Sequence, residues 1–179
     1  MSLGLYLHIP YCFSKCRYCD FYSHPGERGV PEAYVDALVR ELDRFAPEAP
    51  LQPDTLYFGG GTPSLLRPEQ AKRLIDAARP MPGAEITLEA NPETVTEESL
   101  VGFREAGVNR ISFGVQSARD TQLRTLGRPH TAKQARAAFA AAQRAGFTNI
   151  SGDIMLALPH YTEAEFDETL ELIEGGGAT

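Results

Sequence analysis

The feature that most constrains the fold is a repeated alternation of short apolar strand patterns with amphipathic helix patterns, five times along the chain. Residues 3–9 have a period of two: Leu3, Leu5, Leu7 and Ile9 point one way, and Gly4, Tyr6 and His8 the other. This reads as a strand, and Pro10 ends it. After Pro31, Tyr34, Leu38, Leu42 and Phe45 recur at helical steps, and Pro47, Pro50 and Pro53 close that helix. Residues 55–58, 85–90, 110–116 and 149–156 form the next four strand patterns. Helix patterns separate them: one over 68–78, one capped by Thr96 and stopped by Gly107, a short one after Gln116, and an alanine-rich one over 131–145. A last helix carries Phe166, Leu170 and Ile173 and ends at Gly175-Gly176-Gly177.

Strict strand–helix alternation implies a parallel sheet with its helices outside. The expected fold class is α/β, a partial (β/α) barrel with parallel strands inside, truncated after about five units. Residues 1–179 form one domain with no linker or low-complexity segment. A full barrel needs more strands, so the chain reads as the N-terminal part of a longer protein.

Parity within the strands separates two faces. Ile86, Leu88 and Ala90 oppose Thr87, Glu89 and Asn91; Ile111, Phe113 and Val115 oppose Ser112, Gly114 and Gln116; Ile150, Ile154 and Leu156 oppose Ser151, Asp153 and Met155. With the apolar faces on the helices, Tyr57, Glu89, Gln116 and Asp153 line the interior. Carboxylates there point to a polar ligand at the C-terminal strand ends, or to groups that satisfy one another or face water in an open trough.

The chain has three cysteines, Cys12, Cys16 and Cys19, all in the loop after the first strand and spaced C-x-x-x-C-x-x-C. An odd, clustered count does not suit a disulfide framework. Thiolates are soft ligands for zinc, copper(I) or iron–sulfur clusters. Three of them leave one iron of a [4Fe-4S] cluster free for another ligand. Zinc is the second reading, with His8 or His24 completing a Cys₃His set, although structural zinc sites usually draw ligands from two separated segments. His8, on the interior face, reads as a packed or hydrogen-bonded histidine rather than a ligand. Gly59-Gly60-Gly61-Thr62-Pro63, between a strand and a helix, lets backbone groups approach a ligand closely but matches neither a P-loop nor a dinucleotide fingerprint.

A formal net charge of −7 gives no electrostatic support for a nucleic-acid partner. No apolar run is long enough to span a membrane, and the N-terminus lacks a secretory pattern, so a cytoplasmic location is expected.

The cysteine spacing, with an aromatic beside the last cysteine, resembles the radical SAM superfamily. His8-Ile9-Pro10-Tyr11-Cys12, the run from Tyr57 to Ser64, Glu89-Ala90-Asn91-Pro92, Gly114-Val115-Gln116-Ser117, Leu126-Gly127-Arg128 and Asp153-Ile154-Met155 with Leu158-Pro159 resemble its oxygen-independent coproporphyrinogen III oxidase group. The resemblance implies a [4Fe-4S] cluster on Cys12, Cys16 and Cys19, with S-adenosyl-L-methionine on the open iron. One-electron reduction there yields a 5′-deoxyadenosyl radical. It implies that Gly60, Gly61 and Thr62 meet the methionine end and that Glu89, Gln116, Arg128 and Asp153 surround the ribose and carboxylate. Tyr6 completes the implied cofactor-binding set.

The true oxidases of the group carry a further cysteine two positions after the third and a longer N-terminal segment. This chain has Phe21 there and begins almost at the first strand. Both departures resemble the HemW-type branch of haem chaperones, which implies haem as ligand, a haem-acceptor protein and an electron donor as partners. Formation of protoporphyrinogen IX from coproporphyrinogen III is the alternative activity, and a zinc-binding structural module the second alternative.

Overall fold

The computed structural model describes residues 2–45, 52–158 and 160–178. Pro47 and Pro50, read as closing the first helix, lie outside the described residues, as does Pro159 of the Leu158-Pro159 motif. In chain order the elements are β1 (Gly4–Ile9), β2 (Tyr11–Cys12), β3 (His24–Pro25), α1 (Glu32–Phe45), β4 (Thr55–Gly60), α2 (Pro68–Ala78), β5 (Glu85–Ala90) and α3 (Glu97–Ala106). They continue with β6 (Arg110–Gln116), α4 (Asp120–Leu126), α5 (Ala132–Arg144), β7 (Ile150–Ile154) and α6 (Glu163–Gly175). Short 3₁₀ turns follow β4 and β5 at Pro63–Leu65 and Pro92–Thr94.

The main sheet has five strands in the order β1-β4-β5-β6-β7, and every neighbouring pair is parallel. Each crossover therefore returns to the adjacent strand, and crossovers of one hand place all the helices on one face. The result is the expected partial barrel, an open parallel sheet within the described residues. Leu56, Phe58, Leu88, Ile111, Phe113 and Val115 are fully buried on the helical face against Leu74, Leu100, Phe103, Ala135 and Phe139. Burying each such side chain stabilises the fold by about 1.5–3 kcal/mol.

Helix limits follow local chemistry. Thr96, Thr131 and Thr162 each accept a hydrogen bond from the backbone N–H three residues on. The third-position side chains return the bond in capping boxes. Gly107, at φ 114°, stops α3 in a conformation other residues rarely adopt.

Three details differ from the sequence pattern. Phe45, read as part of the buried stripe of α1, is 74% exposed at the helix end. In α6 the buried residues are Thr169 and Leu172, because the Thr169 hydroxyl accepts the Ala118 N–H at 3.0 Å and turns that face inward. The last strand stops at Ile154 and not at Leu156. Gln116 takes a left-handed conformation at φ 67°, the ladder shifts register between Gly114 and Gln116, and Ala157 turns the chain away at φ 56°.

Candidate metal centre and cofactor site

The cysteine loop is shaped by backbone bonds to its own ends. Pro10 breaks β1, and the chain returns so that β2 pairs with β3, Tyr11 facing His24 and Cys12 facing Pro25. The Pro10 carbonyl accepts the His24 N–H at 2.7 Å, and the Phe13 and Cys12 carbonyls accept those of Gly26 and Glu27, both at 3.1 Å. Lys15 Nζ donates to the Phe21 carbonyl at 2.6 Å across the loop. The Arg17 N–H donates to the Leu126 carbonyl at 3.0 Å, which ties the loop to the end of α4. No disulfide forms: Cys12 is buried, and Cys16 and Cys19 are half-buried free thiols.

All three cysteines line one wall of a cavity of about 310 Å³. Gly60, Gly61 and Thr62 from the turn after β4 form another part of the wall. Glu89, Ser112, Gly114, Gln116, Arg128 and Asp153 come from the strand ends and the segment after α4. The parallel register brings the inward residues level, with Tyr57 beside Thr87, Glu89 beside Ser112 and Gly114 beside Asp153. The polar face read from strand parity is therefore one continuous surface.

These groups hold one another in place. Glu89 Oε1 accepts the Tyr57 hydroxyl at 2.8 Å, and Oε2 accepts the Gly60 N–H at 3.2 Å. The Ser112 hydroxyl donates to Asp153 Oδ1 at 3.2 Å, and Arg110 donates to Ser151 at 2.9 Å. Burial pushes the Glu89 carboxyl above its ordinary range, against the opposing pull of the bonds from Tyr57 and Gly60. Asp153, open to the cavity but ringed by protein, is pushed the same way, against Ser112 and the nearby Arg110 and Arg128 charges. Burial, and then the bond to Glu89, push the Tyr57 hydroxyl up, so it stays protonated as a donor.

His8 is hydrogen-bonded, as the sequence reading favoured. Its Nε2 faces the Tyr22 carbonyl at 2.9 Å and must carry the proton, which leaves Nδ1 to accept the Tyr6 hydroxyl at 3.1 Å. A Cβ on Gly60 would stand 2.6 Å from this ring, so glycine is required there on space as well as on its φ of 118°.

Of the residues singled out from the sequence, Tyr6 is not in the cavity wall. It is 54% exposed and stacks on Tyr57 at 6.0 Å between ring centroids. Tyr57 lies behind Glu89 and holds it. Lys15, Tyr18 and Asn91 also line the cavity. Lys15 and Tyr18 lie between or beside the cysteines in sequence, but nothing in their spacing marks their direction. Asn91 lies one residue beyond β5 on its inward parity, which was the available signal.

The donor set fits an iron–sulfur cluster with an organic ligand. Three free thiols, the ligand type that iron–sulfur clusters take, line the same cavity. Among the described residues no three His, Cys, Asp or Glu side chains converge where a single metal ion would sit. Arg128 lines the same cavity with its Nε buried and without a protein acceptor, which suits a ligand carboxylate.

The radical SAM superfamily model matches residues 6–173, and the chain belongs to that superfamily. Within it, the chain is 44% identical over 163 residues to the haem chaperone HemW of Escherichia coli (strain K12), covering 88% of this chain and 43% of that protein. It is 38% identical over 172 residues to HemW of Bacillus subtilis (strain 168), covering 92% and 45%. It superposes on the radical SAM enzyme coproporphyrinogen III oxidase (HemN) of Escherichia coli with a TM-score of 0.87 and 31% identity, covering 99% of this chain and 42% of that one. The chain thus spans less than half the length of these relatives. No helix among the described residues is long and apolar enough to cross a membrane.

Proposed function

We propose that Cys12, Cys16 and Cys19 hold a [4Fe-4S] cluster, that S-adenosylmethionine occupies the adjoining cavity, and that the protein acts as a haem chaperone. The observation that carries the cofactor reading is the shared cavity: three free thiols face a glycine turn and a polar strand-end surface across about 310 Å³. When bound, the pair supplies one-electron cleavage of a sulfonium.

The chain's own residues bind and orient. Gly60 and Gly61 have no side chain to bar a ligand from the backbone. Glu89, fixed by Tyr57 and Gly60, presents acceptor oxygens suited to hydroxyl groups such as those of a ribose. Arg128 offers a donor to a carboxylate, and Gln116 and Asp153 add polar contacts at the strand ends. The cysteine loop forms one part of the cavity wall.

Haem chaperone activity is supported by the identity to the HemW proteins and by Phe21, which stands where the true oxidases of the group carry a further cysteine. Coproporphyrinogen III oxidation is the second reading, favoured by the close superposition on HemN. We infer that the whole protein binds haem and meets a haem-acceptor protein and an electron donor; this chain spans less than half the length of its relatives.

The test of the site is an EPR spectrum of anaerobically reconstituted, dithionite-reduced protein with and without S-adenosylmethionine. A reduced-cluster signal that shifts on addition is expected. Stoichiometric zinc with no iron would overturn the reading. For the whole protein, retention and transfer of haem without turnover of coproporphyrinogen III supports the chaperone, and conversion of that substrate supports the oxidase.

A further inference from the structure

Two of the three thiols are linked through one residue that sequence reasoning gave no role. The Thr62 hydroxyl donates to Cys12 Sγ at 3.5 Å, and Nη1 of Arg128 donates to Cys16 Sγ at 3.6 Å, both bonding distances for an acceptor as large as sulfur. Asn91 stands between these donors. Its Nδ2 donates to Thr62 Oγ1 at 3.2 Å, and its Oδ1 accepts Nη2 of Arg128 at 2.6 Å. The directions are not interchangeable. A guanidinium only donates, so Oδ1 must face Arg128 and Nδ2 must face Thr62. Because the Thr62 oxygen already accepts from Asn91, its own proton is free to point at Cys12.

Two glycines make room for this belt. A Cβ at Gly114 would stand 3.0 Å from Arg128 Nη2 and 3.1 Å from Asn91 Oδ1, and one at Gly61 would stand 3.0 Å from Cys12 Sγ. Nη2 of Arg128 is also fixed by the Gly114 carbonyl at 2.6 Å. The guanidinium is thus held from two sides while Nη1 reaches the sulfur.

We propose that Asn91 is a positioning residue for the cluster: it fixes the direction of the hydrogen bonds onto Cys12 and Cys16 and thereby raises the cluster's reduction potential. Donors to the ligand sulfurs stabilise the more negative, reduced state, and such bonds are among the factors that set iron–sulfur potentials. The inference rests on the reading that these cysteines hold a cluster. Asn91 touches neither thiol and acts only through Thr62 and Arg128.

The experiment is an EPR-monitored redox titration, without S-adenosylmethionine, of the anaerobically reconstituted chain and its Asn91→Leu, Thr62→Val, Thr62→Ser and Asn91→Leu/Thr62→Val variants. Leucine and valine remove the donors without adding charge. At the poise that half-reduces the wild type, Asn91→Leu should raise the ratio of oxidised to reduced cluster about tenfold, a lowering of about 59 mV for a one-electron couple. Thr62→Val should shift the potential in the same direction by less, Thr62→Ser should keep the wild-type value, and the double variant should match Asn91→Leu alone. A wild-type potential in Asn91→Leu, or shifts that add in the double variant, would overturn the role of Asn91 and leave the cluster reading standing. If Asn91→Leu fails to load a cluster, equal potentials for Thr62→Val and Thr62→Ser would overturn it instead. No cluster signal in the wild type would overturn both.

Discussion

Gly61 lies against the ligand loop so closely that a Cβ on it would stand 3.0 Å from Cys12 Sγ and 2.7 Å from the Tyr11 carbonyl oxygen. The second contact is with backbone, which cannot rotate away. Gly61→Ala is therefore expected to displace the loop, with a stability loss of about 1–3 kcal/mol, as overpacking typically costs. Iron and sulfide per chain after reconstitution should fall at least to half. Wild-type loading together with a wild-type melting temperature would show that the loop yields freely.

Cys19 contributes little to the loop's own stability, because backbone bonds and Lys15 hold the loop and no disulfide does. Cys19→Ser should abolish the cluster signal while changing the stability of the metal-free chain by no more than ~0.5 kcal/mol. A thermal melt of the two metal-free proteins checks this. A large loss would mean that the thiol itself packs the loop.

Glu89 makes the ligand-free protein sensitive to pH in a definite direction. Its folded-state carboxyl is raised by burial, so between its ordinary range and the raised value the native state holds the proton more than the unfolded state does. Stability therefore declines as pH rises through that window. Glu89→Gln can keep both contacts, since the Tyr57 hydroxyl can reverse and accept. The variant should melt above the wild type at pH 8, with the gap closing toward pH 4. A gap that is constant with pH would show that the carboxyl's ionisation is not responsible.

Phe139 joins the edge strand to the rest of the sheet. It meets the Phe113 ring at 5.1 Å between centroids, and its ring or Cβ lies within 3.1 Å of where Cβ atoms on Gly152 and Gly176 would stand. Phe139→Ala should cost about 3–5 kcal/mol. Hydrogen exchange should rise first in β7 and α6, and a uniform rise across the sheet would contradict that placement.

The strand–helix alternation, the two faces of each strand, the threonine caps and the clustered cysteines were all legible in the sequence, because each depends on spacing of a few residues. Period-two alternation sets which side chains share a face, whatever the strand pairs with, so Glu89, Gln116 and Asp153 could be read as a common polar surface. A capping threonine acts on N–H groups within its own turn. Three thiols in one loop are neighbours in any fold.

What the tertiary structure decided are relations between residues far apart in the chain. Arg128 reaches Cys16 across 112 positions, and Asn91 joins Arg128 to Thr62 across 37 and 29. Strand order and register set those distances, and no local pattern encodes them. The same holds for Tyr6, whose parity is right but whose level along the sheet, beside Tyr57, leaves it outside the cavity wall. The left-handed Gln116 and the early end of β7 likewise arise where two strands meet out of step. Local spacing determined which chemistry the chain carries; the packing of parallel strands decided which donors reach the thiols.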